Sequence, residues 1–209
     1  MSFYSPQDTS KQLSIKLRST NLYQAKHGAY IGICDDDKQK VFIVLGTKAD
    51  PVTAPLGIKR FADSTNVTDE YSLLSIALND QTLHGFIDEL DGKVLSALAD
   101  ASQDIFHEKY TAQELMKMKY YLPMLYDAKN GLDPLLGAKL ADNCMVLDHE
   151  MSPTNDDISP GAQVCCVFSL PSLYFKAPNS CRMTVRCEKI MVIENGQDAK
   201  KAVNDFQFT

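Results

Sequence analysis

Three stretches of this sequence interleave cations with aromatic rings, a combination that suits a flexible polyanion. Lysine and arginine follow phosphates, while flat ring faces stack on any exposed base. The first stretch is Lys117-Met118-Lys119-Tyr120-Tyr121-Leu122-Pro123-Met124-Leu125-Tyr126-Asp127-Ala128-Lys129. A structural alternative stands beside this reading, in which its tyrosines pack inward and its lysines are merely solvated. The second joins Leu173-Tyr174-Phe175-Lys176 to Arg182-Met183-Thr184-Val185-Arg186-Cys187. Strand alternation there puts Arg182, Thr184 and Arg186 on one face and Met183, Val185 and Cys187 on the other. The third, Gly57-Ile58-Lys59-Arg60-Phe61, is a glycine-led turn with two cations and an aromatic, as a backbone-contacting loop would carry.

Catalytic patterns do not rise to the same level. No glycine-flanked nucleophile elbow, no phosphate-cradling G-x-x-x-x-G-K-[ST] loop and no G-x-G-x-x-G occurs, so the expectation is a binding protein and not an enzyme. Asp35-Asp36-Asp37 is read as a solvated turn, since a two-metal site needs carboxylates converging from several elements. Cys181 and Cys187, six residues apart in one strand, are separated by about 20 Å at ~3.3 Å per residue and cannot share an ion. Cys144, His149, Cys165 and Cys166 form a looser set without the C-x-x-C spacing of structural zinc sites. Buried thiols in a reducing compartment are the expected state of the six cysteines, and no metal or other cofactor is expected. His27, His84, His107 and His149 show no paired spacing.

The formal net charge of −6 argues against a uniformly basic polyanion binder. Binding depends on the local field along a groove, so an acidic chain still serves if its cations are grouped. A length of 209 residues with 44% hydrophobic content supports one substantial core. No apolar run approaches the ~18 residues of a membrane span, and Met1-Ser2-Phe3-Tyr4-Ser5-Pro6 lacks the order of a secretory signal. An intracellular protein without a membrane partner is expected.

The elements that must position these clusters are mostly strands. Leu13, Ile15 and Leu17 alternate with polar residues as a first strand. The runs 29–34 and 40–46 read as a hairpin around Asp35 to Lys38, and 71–78 as a strand entering the core. From Leu83 the spacing changes to three and four residues through Leu98, the pattern of a helix, with Gly92 a candidate break. Thr111-Ala112-Gln113-Glu114 is a capping-box signature for a short helix ending before Pro123. Strands return at 137–145, 163–170 and 182–193. The fold class expected is mainly β with helical insertions. An elaborated OB-fold-like Greek-key barrel fits this order and so does a generic sandwich, and periodicity does not choose between them. The domain organisation expected is a single domain over 1–194, with the helical insertion at about 80–120, and a C-terminal tail over 195–209.

At this point the chain resembles a family, the single-stranded-DNA-binding proteins of large eukaryotic DNA viruses. That family is the giant and algal virus group, with the shrimp white-spot virus a further candidate member. The resemblance runs in order of features from Leu13 to Ile193. It takes in Pro55-Leu56-Gly57, the Lys119 to Leu125 segment, Gly137-Ala138-Lys139-Leu140, Pro160-Gly161, Tyr174-Phe175 and the last strand to Ile193. The chain departs from the pattern in having no tryptophan at Leu173-Tyr174-Phe175, and Asn179-Ser180-Cys181 where a glycine follows. The resemblance implies an oligonucleotide-binding barrel that coats replicating or recombining viral DNA without sequence preference. Its partners would be single-stranded DNA and further copies of itself. Its place would be the site of viral DNA replication, in the host nucleus or a cytoplasmic factory.

The nucleic-acid-binding candidates are then Lys59, Arg60, Phe61, Lys117, Lys119, Tyr120, Tyr121, Tyr126, Lys139, Tyr174, Phe175, Lys176, Arg182 and Arg186. The tail ends Asn204-Asp205-Phe206-Gln207-Phe208-Thr209, an aromatic tip of the kind that docks other replication proteins. A virion or scaffold protein that self-assembles without nucleic acid is the alternative, and the net acidity favours it.

Overall fold

The computed structural model describes residues 1–8, 12–25, 28–62, 70–126, 133–155, 157–177 and 180–196. Lys129, and the tail reading from residue 197 on, lie outside these. The elements are β1 (Ser2–Tyr4), β2 (Lys16–Leu17), β3 (Tyr23–Ala25), β4 (Gly28–Cys34), β5 (Val41–Leu45), β6 (Val52–Ala54), β7 (Ile58–Ala62) and β8 (Glu70–Ala77). Three helices follow, α1 (Gln81–Asp100), α2 (Ser102–Phe106) and α3 (Ala112–Lys117). The chain then returns to strands, β9 (Tyr121–Leu122), β10 (Leu125–Tyr126), β11 (Leu135–Leu147), β12 (Ala162–Ala177) and β13 (Ser180–Glu194). Among the described residues no helix is long and apolar enough to cross a membrane.

Two compact units form, each from three separate stretches of chain. The first unit takes residues 1–43, 81–124 and 169–185; the second takes 44–80, 125–168 and 186 onward. In the first unit β4 pairs antiparallel with β2, with β3 and with residues 172–175 of β12. Its buried residues include Ile31, Ile33, Ile43 and Leu173 from strands, with Ile87, Leu90, Val94 and Leu98 from α1. Gly92 does not break α1. A mid-helix glycine costs only about 1 kcal/mol, against roughly 1.5–3 kcal/mol for each large apolar side chain the helix buries. The capping box forms as expected: Glu114 N–H donates to Thr111 Oγ1, and the Glu114 carboxylate accepts from Thr111 N–H at 2.8 Å. Helix α2 was not foreseen; it ends at His107, whose φ of 62° stops the helix in the left-handed region.

In the second unit β8 is central, pairing antiparallel with β7, β6 and β11, and β11 pairs parallel with β13. One side of this sheet, carrying Leu74, Ile76, Leu136, Ala138 and Cys187, is buried.

Three expectations change. Only Lys16–Leu17 forms a strand where 13–17 was expected, although Leu13 and Ile15 are buried. The runs 29–34 and 41–45 turn at Asp35 but do not pair with one another: β4 takes β2, β3 and β12 as partners, and β5 takes β1 and β12. The strand expected to stop at Leu170 continues through Pro171 to Ala177. Proline removes a ladder donor, and Pro171 lies between the stretch paired to β6 (162–164) and the stretch paired to β4 (172–175).

Candidate nucleic-acid interface

The solvent side of the second unit's sheet gathers residues from four distant parts of the sequence. Lys59 on β7 lies opposite Leu73 on β8, Leu73 opposite Lys139 on β11, and Lys139 opposite Arg186 on β13. Directly opposed residues point to the same face, so three cations occupy one row across four strands, and all three are exposed. Two residues along, Phe61 opposes Tyr71, and their rings stack at 5.4 Å and 19°. Lys139 Nζ lies 4.4 Å from the centre of the Tyr71 ring, which ties the cation row to the aromatic pair. Tyr126 on β10 opposes Leu135, so its ring falls on the same side. It lies over Gly137, where an added Cβ would come within 3.1 Å of the ring. Phe61 and Tyr71 are each 38% exposed and Tyr126 45%, values that separate these rings from core aromatics. Like charges opposed in a sheet repel, a cost that a row of phosphates would offset. Glu188 follows Arg186 two residues on, half-buried.

Five of the sequence-derived candidates, Lys59, Phe61, Tyr126, Lys139 and Arg186, therefore meet on one face. Arg60 does not. It opposes Ser72 on the other side of β7 and pairs with Asp157 at 3.4 Å. Tyr71 belongs to the face and was missed, although its alternation with Leu74 and Ile76 across 71–76 carried the signal.

The remaining candidates lie in the first unit. Lys117, Lys119 and Lys176 are exposed, Tyr174 and Arg182 half-buried. Alternation on β13 is as read: Arg182 and Thr184 are half-buried and Arg186 exposed, while Met183, Val185 and Cys187 are buried. Tyr121 is corrected: it is 1% exposed and cannot stack on a base. Its hydroxyl donates to the Asp91 carboxylate, which also accepts from Met124 N–H at 3.1 Å. Burial, with Asp91 beside it, pushes the Tyr121 hydroxyl well above its ordinary range. Phe175 is corrected likewise, being 7% exposed and packed on Phe106 at 6.3 Å. Tyr120 packs half-buried between Phe106 and Tyr110, at 5.4 and 5.3 Å. In the Lys117 to Tyr121 stretch the tyrosines thus pack and the lysines are solvated.

The acidic turn is structural. The Asp35 carboxylate accepts from Ser2 Oγ and from Gln39 N–H. Burial works to raise its pKa, and these bonds outweigh that and leave it below the usual range. Asp36 pairs with Lys16 at 2.6 Å. Five cysteines are buried and Cys144 is half-buried, all as free thiols. Among the described residues no group of three or more His, Cys, Asp or Glu is placed to hold a metal ion.

No family model matches the chain, and no curated protein matches it in sequence. Solved structures do match. One is gp2.5, a single-stranded DNA-binding protein encoded by bacteriophage T7, with a TM-score of 0.54 at 14% identity over 81% of this chain and 96% of that one. Another is a single-stranded DNA-binding protein from bacteriophage Enc34, with a TM-score of 0.44 at 9% identity over 90% and 99%. The same phage protein in complex with single-stranded DNA gives 0.45 at 9% over 85% and 96%. The likeness to the T7 protein shows the fold. This chain is mainly β with helical insertions, of the OB-fold-like barrel class.

Proposed function

We propose that this protein binds single-stranded DNA with little sequence preference, through the face shared by Lys59, Phe61, Tyr71, Tyr126, Lys139 and Arg186. The observation that carries this reading is the cross-strand row of three cations set beside exposed, stacked rings. Cations in register follow a backbone, and exposed rings receive bases that a duplex keeps paired. The fold shared with the T7 single-stranded DNA-binding protein supports it. The protein acts by binding and not by catalysis, and needs no cofactor.

The finer reading is a role in viral DNA replication and recombination, at the site of replication within the infected cell. It rests on the resemblance to the proteins of large eukaryotic DNA viruses. Homo-oligomers that cover long strands, and a tail over 195–209 that docks replication proteins, belong to the same reading.

Fluorescence anisotropy with labelled oligo-dT and a matched duplex, at low and moderate salt, tests it. Tight, salt-weakened binding to the single strand alone is expected. Absence of binding to either at low salt would overturn the proposal in favour of a self-assembling structural protein, the role that the net charge of −6 suits.

A further inference from the structure

The first unit carries a second set of rings, of which the sequence singled out Tyr174 but not Tyr23 or Tyr30. Tyr23 on β3 lies directly opposite Tyr30 on β4, and Tyr30 directly opposite Tyr174 on β12. Three tyrosines therefore form a continuous row on one face of three adjacent strands. Tyr23 and Tyr30 stack at 5.6 Å and 22°, and they are 54% and 41% exposed. The opposite side of β4, with Ala29, Ile31 and Ile33, is buried.

Gly28 and Gly32 flank Tyr30 at the two neighbouring positions on the same side of β4, and side chains from the adjacent strands take the space that a Cβ would fill. A Cβ at Gly28 would sit 2.2 Å from the Phe175 carbonyl oxygen and 2.8 Å from Tyr174 Oη, and one at Gly32 would sit 2.9 Å from Arg18 Cδ. The two glycines thus let the Tyr174 ring and the Arg18 stem lie down beside Tyr30. Arg18 is held there by two backbone carbonyls, with Nε donating to Ile33 at 2.9 Å and a terminal nitrogen to Lys38 at 3.4 Å. A guanidinium has five N–H donors, so one held this way still offers others to an anion. Lys176, two residues along β12 from Tyr174, adds an exposed cation on the same side.

We propose that the Tyr23–Tyr30–Tyr174 row is a second base-stacking surface for single-stranded nucleic acid, with Arg18 and Lys176 taking the phosphates. It rests on the single-strand reading above and extends it to a part of the chain that contributes nothing to the first face. The occupant follows from the chemistry. Flat, hydroxyl-rimmed rings bounded by cations match unpaired bases on a phosphate backbone.

The parent chain has no tryptophan, so each substituted tryptophan is a sole reporter. Tyr30→Trp and Tyr71→Trp would be titrated separately with long oligo-dT, beside anisotropy of the parent protein and of the double variant Tyr23→Ala/Tyr30→Ala. Emission from Tyr30→Trp should be quenched at saturation, and the double variant should bind about tenfold more weakly, the loss of roughly one stacked base. Quenching of Tyr71→Trp alone, with the double variant within twofold of the parent, would overturn the second surface and leave the first reading intact. Quenching of Tyr30→Trp alone would support the second surface and count against the first face. No quenching in either, with no anisotropy change in the parent, would overturn both.

Discussion

Lys59 and Arg60 are sequence neighbours of like charge, and the strand that carries them sends them to opposite sides. Lys59 joins the row with Lys139 and Arg186, while Arg60 pairs with Asp157. Each lysine or arginine that neutralises a phosphate of a single strand adds about 0.7 to the slope of log K against log salt. Three such contacts give a contribution of about 2. Between 50 and 200 mM salt each is then worth about 2.5-fold in affinity, and the row about 20-fold. The assay is oligo-dT anisotropy across that salt range for Lys59→Gln, Lys139→Gln, Arg186→Gln, their triple combination and Arg60→Gln. The row variants should each flatten the slope by about 0.7 and the triple by about 2, while Arg60→Gln leaves it unchanged. The Arg60–Asp157 pair is 77% and 93% exposed, so its removal should cost little stability. An unchanged slope in a folded triple variant would show that phosphates are held elsewhere. Equal flattening by Arg60→Gln and Lys59→Gln would refute the argument from strand alternation.

Stability should fall as pH rises from about 4 to 6. Burial lifts the Asp91 carboxyl from 3.8 to about 6, against the hydrogen bonds from Tyr121 and the Met124 N–H. The folded state then holds this proton more tightly than the unfolded chain does, and up to about 3 kcal/mol is lost through that window. Urea midpoints at pH 4 and 7 should show the trend in the parent and its attenuation in Asp91→Asn; parallel behaviour of the two would dismiss Asp91 as the cause. Gly57→Ala should destabilise the fold by about 1–3 kcal/mol, because Gly57 has a φ of +59° and a Cβ there would lie 2.3 Å from the Ile158 carbonyl oxygen. A thermal midpoint equal to the parent's would show that the turn relaxes freely.

What was legible in the sequence is what depends on near neighbours. The Thr111–Glu114 capping box spans a single helical turn, and the helical period from Leu83 to Leu98 outweighs Gly92. The alternation Arg182, Thr184, Arg186 against Met183, Val185, Cys187 is a property of any strand buried on one side. Partner choice is not local. The turn at Asp35 looks like a hairpin, yet β4 finds its ladder in β12, more than a hundred residues on, because pairing is decided by which edges can bury their faces together. The same holds for the interface. Composition flagged Lys59, Phe61, Tyr126, Lys139 and Arg186 as separate fragments, and only the registers of β7, β8, β10, β11 and β13 bring them to one face with Tyr71. Residue type could not separate Tyr121 from Tyr71. One hydroxyl is buried on Asp91 and the other ring is exposed beside Phe61, a difference set by the long-range packing around each.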